Sequence, residues 1–390
     1  MISFDNTEIA FKSKSNRDLK RAYWLFKAVG NRVFVKFGKW ATKVAFKLHL
    51  PIKGIIKKTI FHQFCGGETV EGSIATSNAL GEYNVKTILD YSIEGKTLDK
   101  DFDATVREII ETIQAGQSNK NIPFAVFKMT GICLFSVMEK ANDNPSKLAS
   151  ADLEKYKQFI SRVDQICNAA HRCKVPVFID AEESWIQDTI DRIAKEMMLR
   201  YNKESAIVYN TVQMYRHDRL AFLESEIAAA RADQHFLGVK IVRGAYMEKE
   251  RNRAKENGYP SPIQETKEAS DTDFDKALHL AVEHLDIVAI CSGSHNEKSA
   301  LVLTELMAEK GLSNNHPSIY FAQLLGMSDH ISFNLAHAGY NVGKYVPYGP
   351  VQEVMPYLLR RADENTSVAG QTSRELALIT RERNRRKEKK

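Results

Sequence analysis

Eight short apolar runs separated by longer, mostly helical stretches constrain this 390-residue chain more than any other feature. The runs are Val85–Asp90, Phe124–Met129, Val175–Asp180, Ala206–Gln213, Val239–Arg243, Asp286–Cys291, Ser318–Gln323 and Val342–Val346. Most are continuous rather than alternating, the pattern of a parallel strand covered on both faces. Helical periodicity fills the intervals, for example at Ala104–Gln114, Ala151–Arg172, Trp185–Tyr201, Asp271–His284 and Glu297–Lys310. Parallel strands need crossover connections, so eight βα units in one chain predict an α/β fold, a (β/α)8 barrel of the TIM type. An open doubly wound sheet is the competing architecture, for which eight strands are many. No repeat of fixed period is present.

A barrel of this kind carries its chemistry at the carboxyl ends of its strands. Polar residues stand at nearly every such end: Lys128, Asp180, Gln213, Lys240 and Arg243 flanking Ile241-Val242, His295, Gln323 and Tyr345. Any one alone reads as a strand end meeting solvent; together they read as the rim of one pocket. After the eighth run come Tyr345-Val-Pro-Tyr-Gly-Pro350, Tyr357-Leu-Leu-Arg360-Arg361 and Glu364-Asn365. A guanidinium fork holds a planar carboxylate through two parallel charge-assisted hydrogen bonds, so adjacent arginines point to a small anionic substrate. The same residues also fit an exposed helix in which Arg360 and Arg361 pair with Glu364 one turn away. Pro356 kinks or restarts that helix, and Tyr357, Arg360, Arg361 and Glu364 then share one face, expected to fold over the barrel mouth.

Charge is uneven. From Leu19 to Gly67 there are eleven Lys/Arg and no acid, interleaved with Trp24, Phe26, Phe34, Phe37, Trp40 and Phe46. The last ten residues carry seven bases and two acids, so the rest of the chain is net acidic although the whole is +6. The basic aromatic stretch fits a helical cap with solvated lysines, an anionic membrane surface, or, less well, nucleic acid. The expected organisation is a basic helical region over 1–80, the barrel over 81–370 and a partly disordered basic tail over 371–390. Five scattered cysteines with no C-x-x-C pair argue for reduced thiols in a cytoplasm. No apolar run reaches the roughly 18 to 20 residues of a bilayer span, and the first residues do not read as a signal peptide.

Several chemistries lose their usual support. No G-x-G-x-x-G follows a strand, and Gly95-Lys96-Thr97 ends no P-loop because Asp90 stands where a glycine is required. There is no H-E-x-x-H and no G-x-S-x-G, so no metal is expected. A carboxylate clamp without an acid/base dyad or metal points to a borrowed organic cofactor.

Six segments then carry a resemblance, in order and over roughly residues 80 to 370: Phe178-Ile-Asp-Ala-Glu-Glu183, Val212-Gln-Met-Tyr215, Val239-Lys-Ile-Val-Arg-Gly-Ala-Tyr246, Gly293-Ser-His-Asn296, Leu324-Leu-Gly-Met327 and Tyr345…Arg360-Arg361…Glu364-Asn365. Each is weak alone; the ordered set closely resembles the proline dehydrogenase family. That resemblance implies a distorted (β/α)8 barrel, FAD as cofactor, oxidation of L-proline to Δ1-pyrroline-5-carboxylate as the first step of proline catabolism, and a membrane quinone as electron acceptor. The length implies a monofunctional enzyme. The reduced cysteines fit a cytoplasmic one, and a quinone acceptor together with the basic aromatic residues 19–67 fits docking at the inner face of the membrane, with no nucleic-acid partner expected.

Residue by residue, the resemblance implies that Lys128, Arg360 and Arg361 bind the proline carboxylate, with Glu364 paired to an arginine. It implies that Tyr345, Leu324 and Tyr246 wall the ring, and that Asp180, Lys240 and Tyr345 form the catalytic group. Ala181, Gln213, Lys240, Arg243, Gly244, Ala245, Ser294 and His295 are implied to bind FAD. Lys240 stands where many members have Arg, Met247 replaces a frequent aromatic, and Ala322 a frequent Gln. In relatives that prefer 4-hydroxyproline the position of Tyr345 tends to be smaller, so the tyrosine favours plain proline.

Overall fold

The computed structural model describes residues 2–31, 35, 38, 41, 48, 52–93, 97–367 and 371–389, the side chains of 362–367 and 371–372 excepted. All eight expected runs are strands: β1 (Val85–Tyr91), β2 (Phe124–Phe127), β3 (Val177–Ile179), β4 (Val208–Gln213), β5 (Leu237–Val242), β6 (Val288–Gly293), β7 (Ile319–Leu324) and β8 (Val342–Tyr348). They close into a barrel in sequence order. Neighbouring strands pair in parallel, with Tyr209 opposite Gly238 and Gln213 opposite Val242 between β4 and β5, and Lys240 opposite Cys291 between β5 and β6.

The strand ends differ from expectation where chemistry matters. β2 and β3 stop at Phe127 and Ile179, which leaves Lys128 and Asp180 one residue beyond regular structure. β8 runs past Val346, where β1 pairs with it as far as Tyr91 opposite Tyr348 and the segment at Gly66 and Gly67 lies alongside it. The Gly66 N–H donates to Pro347 O at 2.9 Å, and the Gly349 N–H to Gly67 O at 3.1 Å. Tyr345, expected to end the eighth strand, is therefore inside it.

Two compact units are present: residues 95–322, and residues 1–94 together with 323–390. In the first, four aromatic rings from the early part of their strands pack together. Phe124 stacks on Phe178 at 4.5 Å and meets Tyr209 and Tyr320 edge-on at 5.7 and 4.8 Å. Gly238 makes room for this group, since a Cβ there would lie 2.6 Å from the Tyr209 ring. Rings of this size bury 150–250 Å2 each, which makes the cluster the apolar floor on which the polar strand ends rest.

In the second unit the helix Asn16–Val29 starts at a capping box in which Ser15 and Asp18 satisfy each other's backbone N–H groups. Its buried face, Leu19, Ala22, Phe26 and Val29, packs on Leu378 and Ile379. Full burial of such a Leu or Phe contributes about 1.5–3 kcal/mol. Leu378 and Ile379 belong to the helix Gln371–Glu388, so the segment expected as a partly disordered tail is helical. Within the basic stretch, Phe34, Phe37, Trp40 and Phe46 lie outside the described residues. No helix among the described residues is long and apolar enough to cross a membrane.

Candidate active site

A buried charge cluster of the first unit joins the ends of β2 and β3 to the middle of β5. Lys240 is inside β5 and buried, with its ammonium 5.4 Å from the centroid of the Phe178 ring, directly above the aromatic floor. It donates to Asp180 Oδ1, and Lys128 lies 3.1 Å from Asp180 Oδ2. One buried carboxylate after β3 thus orders two cations, one just beyond the neighbouring β2 and one from β5, two strands away on the other side. An ammonium inside a barrel strand costs several kcal/mol in desolvation unless paired, so Lys240 and Asp180 are bound to each other by necessity. Lys128 keeps more exposure and is the cation of the pair better placed to meet an anion from solvent.

Next to this cluster the ends of β4, β5 and β6 lie level. Gln213 closes β4 and is buried, and the Tyr215 N–H donates to Arg243 O at 2.8 Å. Arg243 donates from Nε to Asp271, from one terminal nitrogen to Ser294 Oγ at 2.8 Å and from the other to Ser299 Oγ at 2.9 Å. Its guanidinium also lies 4.3 Å from the Phe274 centroid. Burial raises the affinity of the Asp271 carboxyl for its proton, but Lys267 and Arg243 outweigh this and hold it below the ordinary carboxylate range. Ser294 is buried and His295 partly exposed just beyond β6. Gly244 has φ +140 and a Cβ there would meet the Tyr215 ring at 2.4 Å, so only glycine suits this bend. The bend leaves Gly244 and Ala245 exposed, followed by the half-buried Tyr246. A fixed Arg, a buried Lys, an amide, a hydroxyl, an imidazole and bare backbone form a donor set that fits a polar, anionic cofactor such as a flavin dinucleotide. Ala181, beside Asp180, is half-buried.

In the second unit, Leu324 ends β7 half-buried, and the Leu325 N–H donates to Tyr345 O at 2.9 Å. Arg361 is 7% exposed and its guanidinium lies 5.0 Å from the Tyr357 centroid. This excludes the reading of Arg361 as one charge on an exposed helical face; Arg360 is half-buried. The helix begins at Met355, which places Pro356 in its first turn, where proline is tolerated. The side chain of Glu364 lies outside the described residues.

Sequence reasoning missed a buried carboxyl and a buried amine. Glu182 accepts the Thr130 N–H at 3.0 Å and the Thr130 hydroxyl, and burial pushes its carboxyl up to about 7. Lys344, fully buried in β8, is held by Asp329 at 2.9 Å and donates to Met327 O at 2.5 Å. Glu182 stands in the segment Phe178-Ile-Asp-Ala-Glu-Glu183, but nothing in its spacing marks it as buried, and Lys344 is hidden inside an apolar run.

A closed eight-stranded barrel with a Lys128–Asp180–Lys240 charge cluster at its core defines a (β/α)8-barrel protein. A model of the proline dehydrogenase family matches residues 73–374, and the chain belongs to that family. It is 34% identical to proline dehydrogenase 1, mitochondrial, of Dictyostelium discoideum, over 87% of this chain and 67% of that protein. It is 29% identical to hydroxyproline dehydrogenase of Xenopus laevis, over 99% of this chain and 90% of that one. The fold is similar to the crystal structure of proline utilization A (PutA) from Bdellovibrio bacteriovorus inactivated by N-propargylglycine. There the TM-score is 0.73 at 19% identity, covering 93% of this chain and 38% of that chain. The chain thus spans well under half of the PutA protein it resembles.

Proposed function

We propose that this chain is an FAD-dependent proline dehydrogenase that oxidises L-proline to Δ1-pyrroline-5-carboxylate in proline catabolism. The single observation that carries this reading is the buried Asp180 ordering Lys128 and Lys240 at the strand ends of a family member. Lys128, Arg360 and Arg361 hold the substrate carboxylate, which fixes the pyrrolidine ring with C5 in one place. Tyr345, Leu324 and Tyr246 wall the ring and exclude water, and Glu364 pairs with one of the arginines. Asp180 holds both lysines in register. Gln213, Lys240, Arg243, Gly244, Ala245, Ser294 and His295 hold the cofactor, with Ala181 against it. The chemistry supplied by FAD, when bound, is that of a two-electron acceptor for the hydride leaving C5, with a membrane quinone taking the electrons in turn.

Turnover of L-proline with an electron-accepting dye tests this reading, the product being identified by mass as proline less two hydrogens. A Tyr at 345 favours proline over 4-hydroxyproline, so turnover of hydroxyproline alone would overturn the substrate assignment.

A membrane role for residues 19–67 has its own support: Trp24 is 56% and Ile55 67% exposed amid Lys20, Lys27, Lys53, Lys57 and Lys58. This reading makes the chain a cytoplasmic enzyme, peripheral at the inner face of the membrane. Sedimentation with anionic vesicles, in low and high salt, tests it; no binding at low ionic strength would sink it.

A further inference from the structure

The turn after β2 is gripped twice. Lys128 is followed by the single 3-10 turn Met129–Gly131. Asp180 takes the Lys128 ammonium at 3.1 Å, and Glu182 takes the Thr130 N–H at 3.0 Å together with the Thr130 hydroxyl. Two carboxyls, two residues apart on the segment that leaves β3, therefore hold both the side chain and the backbone of one three-residue stretch. Glu182 is itself anchored. Its N–H donates to Gln187 Oε1 at 2.9 Å, and Gln187 Nε2 donates to Asp191 Oδ1 at 2.8 Å. Asp191 also accepts from Asn210 at 2.8 Å and from Arg219 at 2.6 Å, which ties the chain to β4.

An ionisable group only 3% exposed is costly to bury, and packing alone would be served by an apolar residue. Its cost is offset by two directed bonds to the stretch that carries Lys128. We propose that Glu182 is a positioning residue for Lys128: it fixes the turn that presents the ammonium, and so sets where a substrate carboxylate is met. The inference rests on the proline reading above. Glu182 touches no substrate, and acts through Thr130.

The test is steady-state kinetics with L-proline on the holoenzyme, comparing Glu182→Ala and Glu182→Gln, each alone and combined with Lys128→Met. Loss of both bonds in Glu182→Ala is expected to raise KM about tenfold with kcat changed less than about threefold. Glu182→Gln, which keeps an acceptor for the Thr130 N–H, is expected to restore most of the loss. On the Lys128→Met background neither substitution should move KM by more than about twofold, because the group being positioned is gone. Should Glu182→Ala not fold, Thr130→Val carries the same test: it removes only the hydroxyl, and its expected KM rise of about threefold must also vanish with Lys128→Met. An unchanged KM in Glu182→Ala or Thr130→Val, or a rise that persists undiminished on Lys128→Met, overturns the role. Unmodified enzyme inert to proline overturns the functional reading and this role with it, and is seen before any variant is made.

Discussion

Asp180→Asn is the most informative single change in the first unit. The substitution keeps the shape of the side chain but removes the charge that two ammonium groups share. The Lys240 and Asp180 side chains are 7% and 12% exposed, so Lys240 loses the carboxylate it donates to in a nearly dry site. Breaking a buried pair by deleting one partner costs about 3–5 kcal/mol. Lys128 is somewhat more exposed, and its share is nearer the 0–1 kcal/mol of a surface pair. A total of about 4 kcal/mol follows. The assay is urea unfolding followed by circular dichroism at matched flavin loading. With a slope of about 3 kcal/mol/M the midpoint should fall by roughly 1 M or more. Adding Lys240→Met to Asp180→Asn should recover more than half of that fall, since the buried ammonium that lost its carboxylate is then absent. A fall below about 0.3 M would mean that both ammonium groups find water once the carboxylate is gone, and would refute the reasoning.

Arg361→Met should raise KM for proline at least about tenfold, the loss of a charge-assisted hydrogen bond being worth roughly 1.5–3 kcal/mol; an unchanged KM would remove it from the clamp. Glu182 titrates near about 7 in the folded protein against an ordinary 4.5, so between those values the folded state holds the extra proton. Stability should therefore decline as pH rises from about 4.5 to about 7, by up to about 1.4 kcal/mol per pH unit, and Glu182→Gln should flatten that decline in urea midpoints. Burial raises the Cys133 and Cys291 thiols to about 12 and those of Cys65 and Cys167 further. Alkylation of the native protein should accordingly reach Cys173, the one partly exposed cysteine, first; early labelling of Cys291 by mass spectrometry would contradict the packing around β6.

The barrel was legible because its strands are covered on both faces. Val208–Gln213 is buried at every residue, so its apolar run stands out from the half-polar helices around it. The strand ends were less so. β8 extends to Tyr348 between β1, paired as far as Tyr91, and the segment at Gly66 and Gly67, both more than 250 residues away in sequence and announced by no local pattern. Half of the helix Gln371–Glu388 is charged, and its fold depends on a few residues such as Leu378 and Ile379 meeting the helix Asn16–Val29 at the other end of the chain. The site divides in the same way. Lys128, Asp180 and Arg243 show themselves as polar interruptions of apolar runs. Glu182 and Gln187 do not, because their partners Thr130 and Asp191 are set by tertiary structure rather than by spacing.

The central claim is best tested by the visible absorption spectrum of the purified protein, recorded without oxygen before and after L-proline. The account predicts flavin bands near ~450 nm that bleach with L-proline and do not bleach with 4-hydroxyproline. Protein that is colourless and takes up no added FAD, or flavin that stays oxidised in the presence of proline, would contradict it.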